Sequence, residues 1–156
     1  MKTLVYKRKI ASISDIYEHL KKCSKHYVPT LDTRVNIENY AKKLFDYAQT
    51  FECWDGDDLV GLLAVYCNDK NCNFSFISNL SVISSYYKQN IASQLLESCI
   101  EYTKIQGFDS INLEVHIGSI AALRLYKKYG FSECLHHDDH NVKPHYIQMK
   151  KILILK

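Results

Sequence analysis

Apolar side chains recur along this chain at two spacings, which separate strands from helices. Alternate apolar positions in Ser110–Val115 predict a strand, whereas apolar residues three and four positions apart between Asn36 and Ala48 predict a helix with one buried face. The whole pattern predicts strands at Leu4–Ile10, Thr50–Trp54, Leu59–Cys67, Phe74–Val82, Ser110–Val115, Phe131–Leu135 and Tyr146–Leu155, with helices capped by Ser14, Asn36 and Ser119 and a further helix from Ile91 to Gln106.

Glycine and proline mark where these elements end. The run Asp55-Gly56-Asp57-Asp58 lies between two predicted strands and is typical of a hairpin, so those strands should be antiparallel. Gly107 and Gly130 follow predicted helices, and Pro29 makes the segment from His26 to Leu31 a loop. The order is strand, two helices, three strands, helix, strand, helix, two strands, which indicates an α/β domain.

The stretch from Leu80 to Gln106 carries the clearest functional signal. An apolar strand runs into a polar turn without glycine, and the turn runs directly into a helix. The first N–H groups of a helix have no intrahelical partner and lie at the positive end of its dipole, so they favour an anion such as phosphate. The sequence therefore predicts an anion site at the start of this helix.

Length and charge narrow the class of protein. The chain has 156 residues, 47% of them apolar, which is enough for one domain with its own core, and we expect a single domain over residues 1–156. A net charge of +3 mildly favours anionic ligands without the clustered basic residues of a nucleic-acid-binding protein. No run approaches about 18 apolar residues and the start at Met1-Lys2 lacks an apolar signal core, so we expect a cytoplasmic protein without membrane association.

Cysteine and histidine do not indicate a metal centre. The six cysteines are scattered singly without a C-x-x-C pair, as is typical of reduced thiols. The metal-binding side chains of His136, His137, Asp138, Asp139 and His140 have no recognised spacing, so we interpret them as a solvated loop or as a border of the substrate site. We expect no metal.

Two motifs and the element order together resemble the GNAT superfamily of acyl-coenzyme A-dependent N-acetyltransferases. The family has a strand ending in L-x-V and then an R/Q-x-x-G-x-G/A loop that opens a helix. This chain has Leu80-Ser81-Val82 followed by Tyr87-Lys88-Gln89-Asn90-Ile91-Ala92. Tyr87 replaces the usual Arg or Gln, and Asn90 replaces the first glycine. Asparagine tolerates a positive φ better than most residues, so we expect the loop conformation to survive.

The second motif is closer to the family pattern. L-E-V on a strand, N-x-A-A at a helix start and L-Y-x-K-x-G-F correspond to Leu113-Glu114-Val115, Ser119-Ile120-Ala121-Ala122 and Leu125-Tyr126-Lys127-Lys128-Tyr129-Gly130-Phe131. Only the Asn differs, being Ser119 here. The resemblance covers essentially the whole chain. It implies the GNAT fold, α/β of the α+β type, with a central mostly antiparallel mixed sheet of about seven strands flanked by about four helices.

The resemblance implies that acetyl-CoA is the co-substrate and that its pyrophosphate occupies the predicted anion site. The implied coenzyme-binding residues are Leu80, Val82, Tyr87, Lys88, Gln89, Asn90, Ile91, Ala92, Ser93, Ser119 and Ala122. By the same analogy, the backbone N–H of Val82 polarises the acetyl carbonyl. A loop without glycine leaves weakened coenzyme affinity as an open alternative.

Acetyl transfer from a thioester to an amine requires a neutral amine and a proton for the departing thiolate. In related enzymes that acetylate protein N-termini, the Glu of L-E-V is the base and the Tyr of L-Y-x-K-x-G-F is the acid, which implies Glu114 and Tyr126 here. Two alternatives stay open. L-E-V also occurs in GNAT proteins that use another base or water, and Tyr126 is a core aromatic in the other interpretation.

The acceptor is expected to be the primary amine of a small molecule, such as an amino sugar or a similar metabolite. The tyrosine-rich N-terminal half loosely resembles GNAT proteins that act on small substrates. Candidate acceptor residues are Tyr27, Trp54 and Phe76, with Arg34 for an anionic group. A protein N-terminal amine is the alternative acceptor, and a coenzyme-binding protein without catalysis is a second alternative. We expect a monomer or a homodimer.

Overall fold

Helices cover both faces of a seven-stranded sheet. A computed structural model of the chain describes residues 3–68, 73–134 and 143–153. Within these ranges the strands are β1 Leu4–Arg8, β2 Ala48–Asp55, β3 Asp58–Tyr66, β4 Phe74–Val82, β5 Ser110–His116, β6 Ser132–Glu133 and β7 Tyr146–Ile152. The helices are α1 Ile13–Cys23, α2 Leu31–Arg34, α3 Ile37–Tyr47, α4 Ile91–Ile105 and α5 Ile120–Lys128, and 3-10 turns lie at Ser24–His26 and Ser84–Tyr86.

The sheet is mixed and mostly antiparallel. Its order is β1-β2-β3-β4-β5-β7-β6. Of the strand pairs formed by the described residues, β4 with β5 alone is parallel. A parallel pair needs a crossover connection, and α4 supplies it. This architecture confirms the predicted fold class, with the short α2 as a fifth helix.

Each face of the sheet has its own apolar cluster. Helices α4 and α5 pack over one face around Leu95 and Leu113, and α1 and α3 pack over the other around Ile16 and Leu44. The central strand β3 is apolar at most positions because both of its faces are covered. Core packing therefore fixes α4 and α5 relative to the strands that precede them.

Helix α1 begins after Ser12, so the prediction of a cap at Ser14 is wrong. The Oγ of Ser12 accepts from the N–H of Asp15 at 3.1 Å, and Oδ2 of Asp15 accepts from the N–H of Ser12 at 2.9 Å. This capping box satisfies two N–H groups at once, which decides the start of the helix. The predicted cap of α3 is confirmed, because Oδ1 of Asn36 accepts from the N–H of Asn39 at 2.9 Å.

Other predicted boundaries also change, most clearly in β1, β6 and β7. Strand β1 ends at Arg8 because Lys9 has a φ of 55°. The predicted strand Phe131–Leu135 is limited to Ser132–Glu133 among the described residues, and β7 ends at Ile152.

The predicted solvated loop His136–His140 lies outside the described residues. No helix within the described ranges is long and apolar enough to cross a membrane.

Gly61 lets α4 lie close against β3. A Cβ atom at Gly61 would lie 2.6 Å from Cγ2 of Ile91 and 3.2 Å from Cδ1 of Leu95. A separation of 2.6 Å is too short for two carbon atoms, so a larger residue would push the first turn of α4 away from the sheet. Because Ile91 begins α4, this packing also places the predicted anion site.

We expect Gly61→Ala to lower the free energy of unfolding by about 1–3 kcal/mol, because the added methyl group overpacks the contact with Ile91. Urea unfolding with an unchanged m value would measure this loss. In an Ile91→Ala background Cγ2 is absent, so the same substitution should destabilise less, and the double-mutant cycle gives the coupling energy. Equal losses in both backgrounds would contradict the close contact.

Candidate active site

The two parallel strands separate before they end, and a groove opens between them. β4 pairs with β5 from Phe74 opposite Ser110 to Ile77 opposite Leu113. Beyond this point, residues 78–82 of β4 and 114–116 of β5 border a groove of about 990 Å³. The groove walls are therefore strands held by the core.

A β-bulge at Ser78 decides which β4 side chains face each side of the sheet. Across from Ala64 and Val65, β4 uses the three residues 77–79, so Ser78 is the extra residue. Without the bulge, residues 77, 79 and 81 would share one face. Instead the α4 side carries Ile77, Leu80 and Val82, and the α1 side carries Asn79 and Ser81.

The backbone of β4 also presents hydrogen-bonding groups to the groove. The N–H of Ile83 donates to the carbonyl oxygen of Val60 at 2.9 Å. Hydrogen-bonded positions alternate along an antiparallel pair, so the N–H and C=O groups of Leu80 and Val82 point away from β3. They point to the edge of β4 beyond Ile77, where β5 is no longer paired with it. An extended ligand can form hydrogen bonds with this edge as an added strand would.

The loop before α4 keeps a left-handed backbone without glycine. Asn90, the N-cap residue of α4, has a φ of 65°, and Lys88 has a φ of 66°. The expectation that asparagine tolerates a positive φ here is confirmed. The side chain of Asn90 makes no capping hydrogen bond, so it leaves the first N–H groups of α4 available to a ligand in the groove.

Most of the residues expected to bind the coenzyme line this groove. They are Leu80, Val82, Tyr87, Lys88, Asn90, Ile91, Ala92, Ser93, Ser119 and Ala122. Gln89 is the exception, since it is exposed and lies off the groove between two residues with positive φ. We therefore remove the Gln89 side chain from the coenzyme-binding set.

Tyr126 lines the groove from the last turns of α5. The helix ends in a Schellman motif, in which the N–H of Phe131 donates to the Tyr126 carbonyl and the N–H of Gly130 donates to the Lys127 carbonyl. Gly130 allows this turn because its φ is 91°. The motif brings the Phe131 ring edge-on to Tyr126 at 5.5 Å. Burial raises the pKa of Tyr126 well above its ordinary value, which keeps the phenol protonated.

Glu114 lines the groove from β5, and both of its carboxylate oxygens have partners. Nε2 of Gln148 donates to Oε2 at 2.7 Å, and Nζ of Lys143 lies 3.5 Å from Oε1. Gln148 stands opposite Glu114 in the pairing of β5 with β7. Sequence reasoning missed Gln148 because the register of β7 was not known, and it missed Lys143 because this residue lies in the turn before β7.

At the end of the groove where we expect the acceptor, the lining residues are Tyr27, Arg34, His116 and Tyr146. The guanidinium of Arg34 lies 5.7 Å from the centre of the Tyr146 ring, and Nζ of Lys143 lies 5.8 Å from the same centre. The rings of His116 and Tyr146 meet edge-to-face at 5.1 Å. Cationic side chains therefore gather around one tyrosine ring at this end.

A chain of hydrogen bonds runs from the groove into the core beneath α1. Tyr27 donates its hydroxyl proton to Oδ1 of Asn79, and Nδ2 of Asn79 donates to Oγ of Ser81 at 3.0 Å. Oγ of Ser81 lies 2.9 Å from Nε2 of His19, whose Nδ1 lies 2.9 Å from the carbonyl oxygen of Leu59. We call these five residues the Tyr27 chain.

Two carbonyl oxygens fix the direction of the Tyr27 chain. The Leu59 oxygen only accepts, so Nδ1 of His19 carries the proton and Nε2 accepts from Ser81. Nδ2 of Asn79 also donates to the carbonyl oxygen of Leu62 at 3.1 Å, which orients Oδ1 toward Tyr27. The hydroxyl proton of Tyr27 is thereby committed, so its oxygen can only accept a hydrogen bond from a ligand.

Trp54 and Phe76 do not line the groove. Trp54 is 7% exposed in the cluster beneath α1 and α3, and its Nε1 donates to Oε1 of Glu52 at 3.1 Å. Phe76 precedes the bulge and is paired on both sides, with Tyr66 and with Asn112. Both belong to the closed part of the sheet, so we remove them from the set of acceptor residues.

The sequence also matches a known family. A sequence model of the acetyltransferase (GNAT) family matches residues 13–131, which is more than half of the chain. The chain belongs to the GNAT acetyltransferase family. It is an acyltransferase of the N-acetyltransferase kind, and this family uses acetyl-CoA.

Individual relatives agree with this assignment. The uncharacterised N-acetyltransferase YsnE of Bacillus subtilis is 28% identical over 107 residues, which are 66% of this chain and 68% of that protein. The solved ribosomal-protein-S18-alanine N-acetyltransferase of Escherichia coli has a TM-score of 0.75 at 16% identity, covering 100% of this chain and 96% of that one. A Bacillus subtilis acetyltransferase in complex with CoA has a TM-score of 0.69 at 20% identity, covering 97% and 100%. These two solved structures share the GNAT fold.

We expect Asn90→Val to weaken acetyl-CoA binding about tenfold, because a β-branched residue is strained by about 1–2 kcal/mol at a φ of 65°. Asn90→Gly should bind as tightly as the parent or more tightly. Isothermal calorimetry measures both dissociation constants, with Gln89→Val as the control in the same loop but off the groove. Unchanged binding by Asn90→Val would show that the left-handed N-cap is not needed.

We expect stability to fall as the pH drops from about 6.5 to about 4, because burial lowers the pKa of His19 to about 4. Between these values the unfolded chain binds a proton at this residue and the folded chain does not. The resulting loss in the free energy of unfolding reaches roughly 3 kcal/mol near pH 4. Urea unfolding at several pH values measures the slope.

The matched variants are His19→Gln and His26→Gln. His19→Gln should remove this part of the slope, and His26→Gln should keep it, because His26 is exposed. A slope that is the same in both variants would assign the pH dependence to other groups.

Proposed function

We propose that this protein transfers the acetyl group of acetyl-CoA to the primary amine of a small molecule, by direct attack of the amine on the thioester. The observation that carries the proposal is the single groove between β4 and β5. It joins the start of α4 to the acceptor end that contains Tyr27, Arg34 and Glu114. A continuous groove lets the two substrates meet in one complex, as direct transfer requires.

The coenzyme end of the groove fits an extended ligand with a phosphate group. When bound, acetyl-CoA supplies the acetyl group as a thioester. The N–H groups at the start of α4 and the ammonium of Lys88 would hold its pyrophosphate. The outward N–H and C=O groups of Leu80 and Val82 would hold the chain between pyrophosphate and sulfur, and the N–H of Val82 would polarise the carbonyl.

The proton transfers are assigned to Tyr126 and Glu114. The amine forms the new C–N bond, the C–S bond breaks, and the departing thiolate takes the proton of Tyr126. Burial raises the pKa of Tyr126, so the phenol carries its proton before transfer and has one to donate. Glu114 receives the proton that the amine loses, and solvent restores the phenol.

A protein N-terminal amine is the second candidate acceptor. Glu114 and Tyr126 both line the groove, which supports the pairing that related N-terminal acetyltransferases use. The fold also resembles that of the ribosomal-protein-S18-alanine N-acetyltransferase from Escherichia coli. We place the small-molecule acceptor first because buried polar contacts of Tyr27 define the acceptor end in detail.

The proposal is tested by release of free thiol from acetyl-CoA in the presence of small amines and of peptides with free N-termini. We expect turnover with small amines above that with peptides. Binding of acetyl-CoA without turnover on any amine would contradict the enzymatic proposal. Turnover on peptides alone would move the acceptor to protein N-termini.

Tyr126→Phe tests the assigned acid in the same assay. We expect kcat to fall about 100-fold, because the thiolate leaves without a proton, and the KM for acetyl-CoA to change little. Tyr129→Phe is the control. Tyr129 lies on the same helix end, donates to Oε1 of Glu97 at 2.7 Å and does not line the groove. Undiminished turnover by Tyr126→Phe would remove Tyr126 from the mechanism.

A further inference from the structure

We propose that the acceptor is an amine that also carries an anionic group, with its N–H on Tyr27 and its anion held by Arg34 and His116. The inference rests on the proposed acetyl transfer and names the substrate class of the same site. It follows from which hydrogen-bonding roles are left open at the acceptor end of the groove and from the balance of charge there.

The amine end is set by the Tyr27 chain. The hydroxyl proton of Tyr27 is committed to Oδ1 of Asn79, so its oxygen accepts and cannot donate. Burial also raises the pKa of Tyr27, so it stays a neutral phenol. A neutral acceptor in a groove suits an N–H donor, and an amine supplies one in either protonation state.

The anion end is set by donors that have no carboxylate partner among the described residues. Among the described residues, no carboxylate lies within ion-pairing distance of Arg34, whose guanidinium lies over the Tyr146 ring. Nδ1 of His116 accepts from the N–H of Gly118 at 2.9 Å, so in the neutral ring Nε2 carries the proton and donates. Guanidinium and imidazole N–H groups suit a carboxylate or a phosphate.

The charge balance of the groove disfavours a polycationic acceptor. Of the described residues that line the groove, Glu114 alone carries a carboxylate, and Nζ of Lys143 lies 3.5 Å from it. Arg34 adds one positive charge at the acceptor end, while Lys88 lies next to the start of α4, where it would hold the pyrophosphate. A ligand with several ammonium groups would face net repulsion, whereas one ammonium and one anion would be matched.

The test compares acceptors that differ only in the anionic group. The probes are 4-aminobutyrate, 3-aminopropylphosphonate and butylamine, together with an amino acid and its amide. Calorimetry measures their binding to the protein saturated with CoA, and thiol release measures their turnover with acetyl-CoA. We expect the anionic probes to bind and to react at least tenfold better than the neutral ones. The carboxylate and phosphonate arms identify which anion is preferred.

Two variants separate the two ends of the acceptor. Arg34→Gln should remove most of the preference for anionic probes, so that their binding and turnover fall towards those of butylamine measured with the same variant. Tyr27→Phe should weaken all probes by a similar factor. Arg124→Gln is the control, since Arg124 is exposed on α5 and does not line the groove.

The outcomes distinguish this inference from the proposed function. Tighter binding of anionic probes without any turnover would support the anionic class and contradict acetyl transfer to it. Turnover without a preference for anionic probes, or with an equal effect of Arg34→Gln on all probes, would overturn the anionic class. Binding of none of the probes, or of peptides alone, would overturn it as well.

Discussion

The site depends on how far β4 and β5 remain hydrogen-bonded to each other. Pairing with β3 continues along β4 to Val82, but pairing with β5 stops at Ile77. The bulge at Ser78 lies where the two strands part, and a bulge bends its own strand and increases local twist. The groove is thus an interruption in one sheet, and the clusters on both faces hold its walls in place.

The same bulge separates two kinds of recognition. On the α4 side, Leu80 and Val82 line the groove with apolar side chains, and their backbone groups point to its open edge. On the α1 side, Asn79 and Ser81 are polar, and their hydrogen bonds connect Tyr27 to His19. Because neighbouring strand residues point to opposite faces, the one extra residue decides which of the four residues 79–82 face each side of the sheet.

The sequence predicted the sheet, the four longer helices and the start of α4, because local periodicity and contiguous motifs determine these features. It did not predict the Tyr27 chain. His19 and Ser81 are 62 residues apart in the numbering, and their contact depends on a bulge that period-two alternation does not reveal. Trp54 was assigned to the acceptor on its residue type, whereas its indole satisfies the buried Glu52. The sequence could not predict contacts between distant residues, because these contacts depend on the register of strand pairing.

The unpaired edge of β4 links ligand binding to folding. In the free protein, water must satisfy the outward groups of Leu80 and Val82, which a continuous sheet would pair internally. A ligand lying along that edge takes the place of the absent strand segment and adds its binding free energy to the stability of the native state. A ligand bound there therefore acts as a removable part of the sheet, and its free concentration relative to its dissociation constant sets how much stability it adds to the native state.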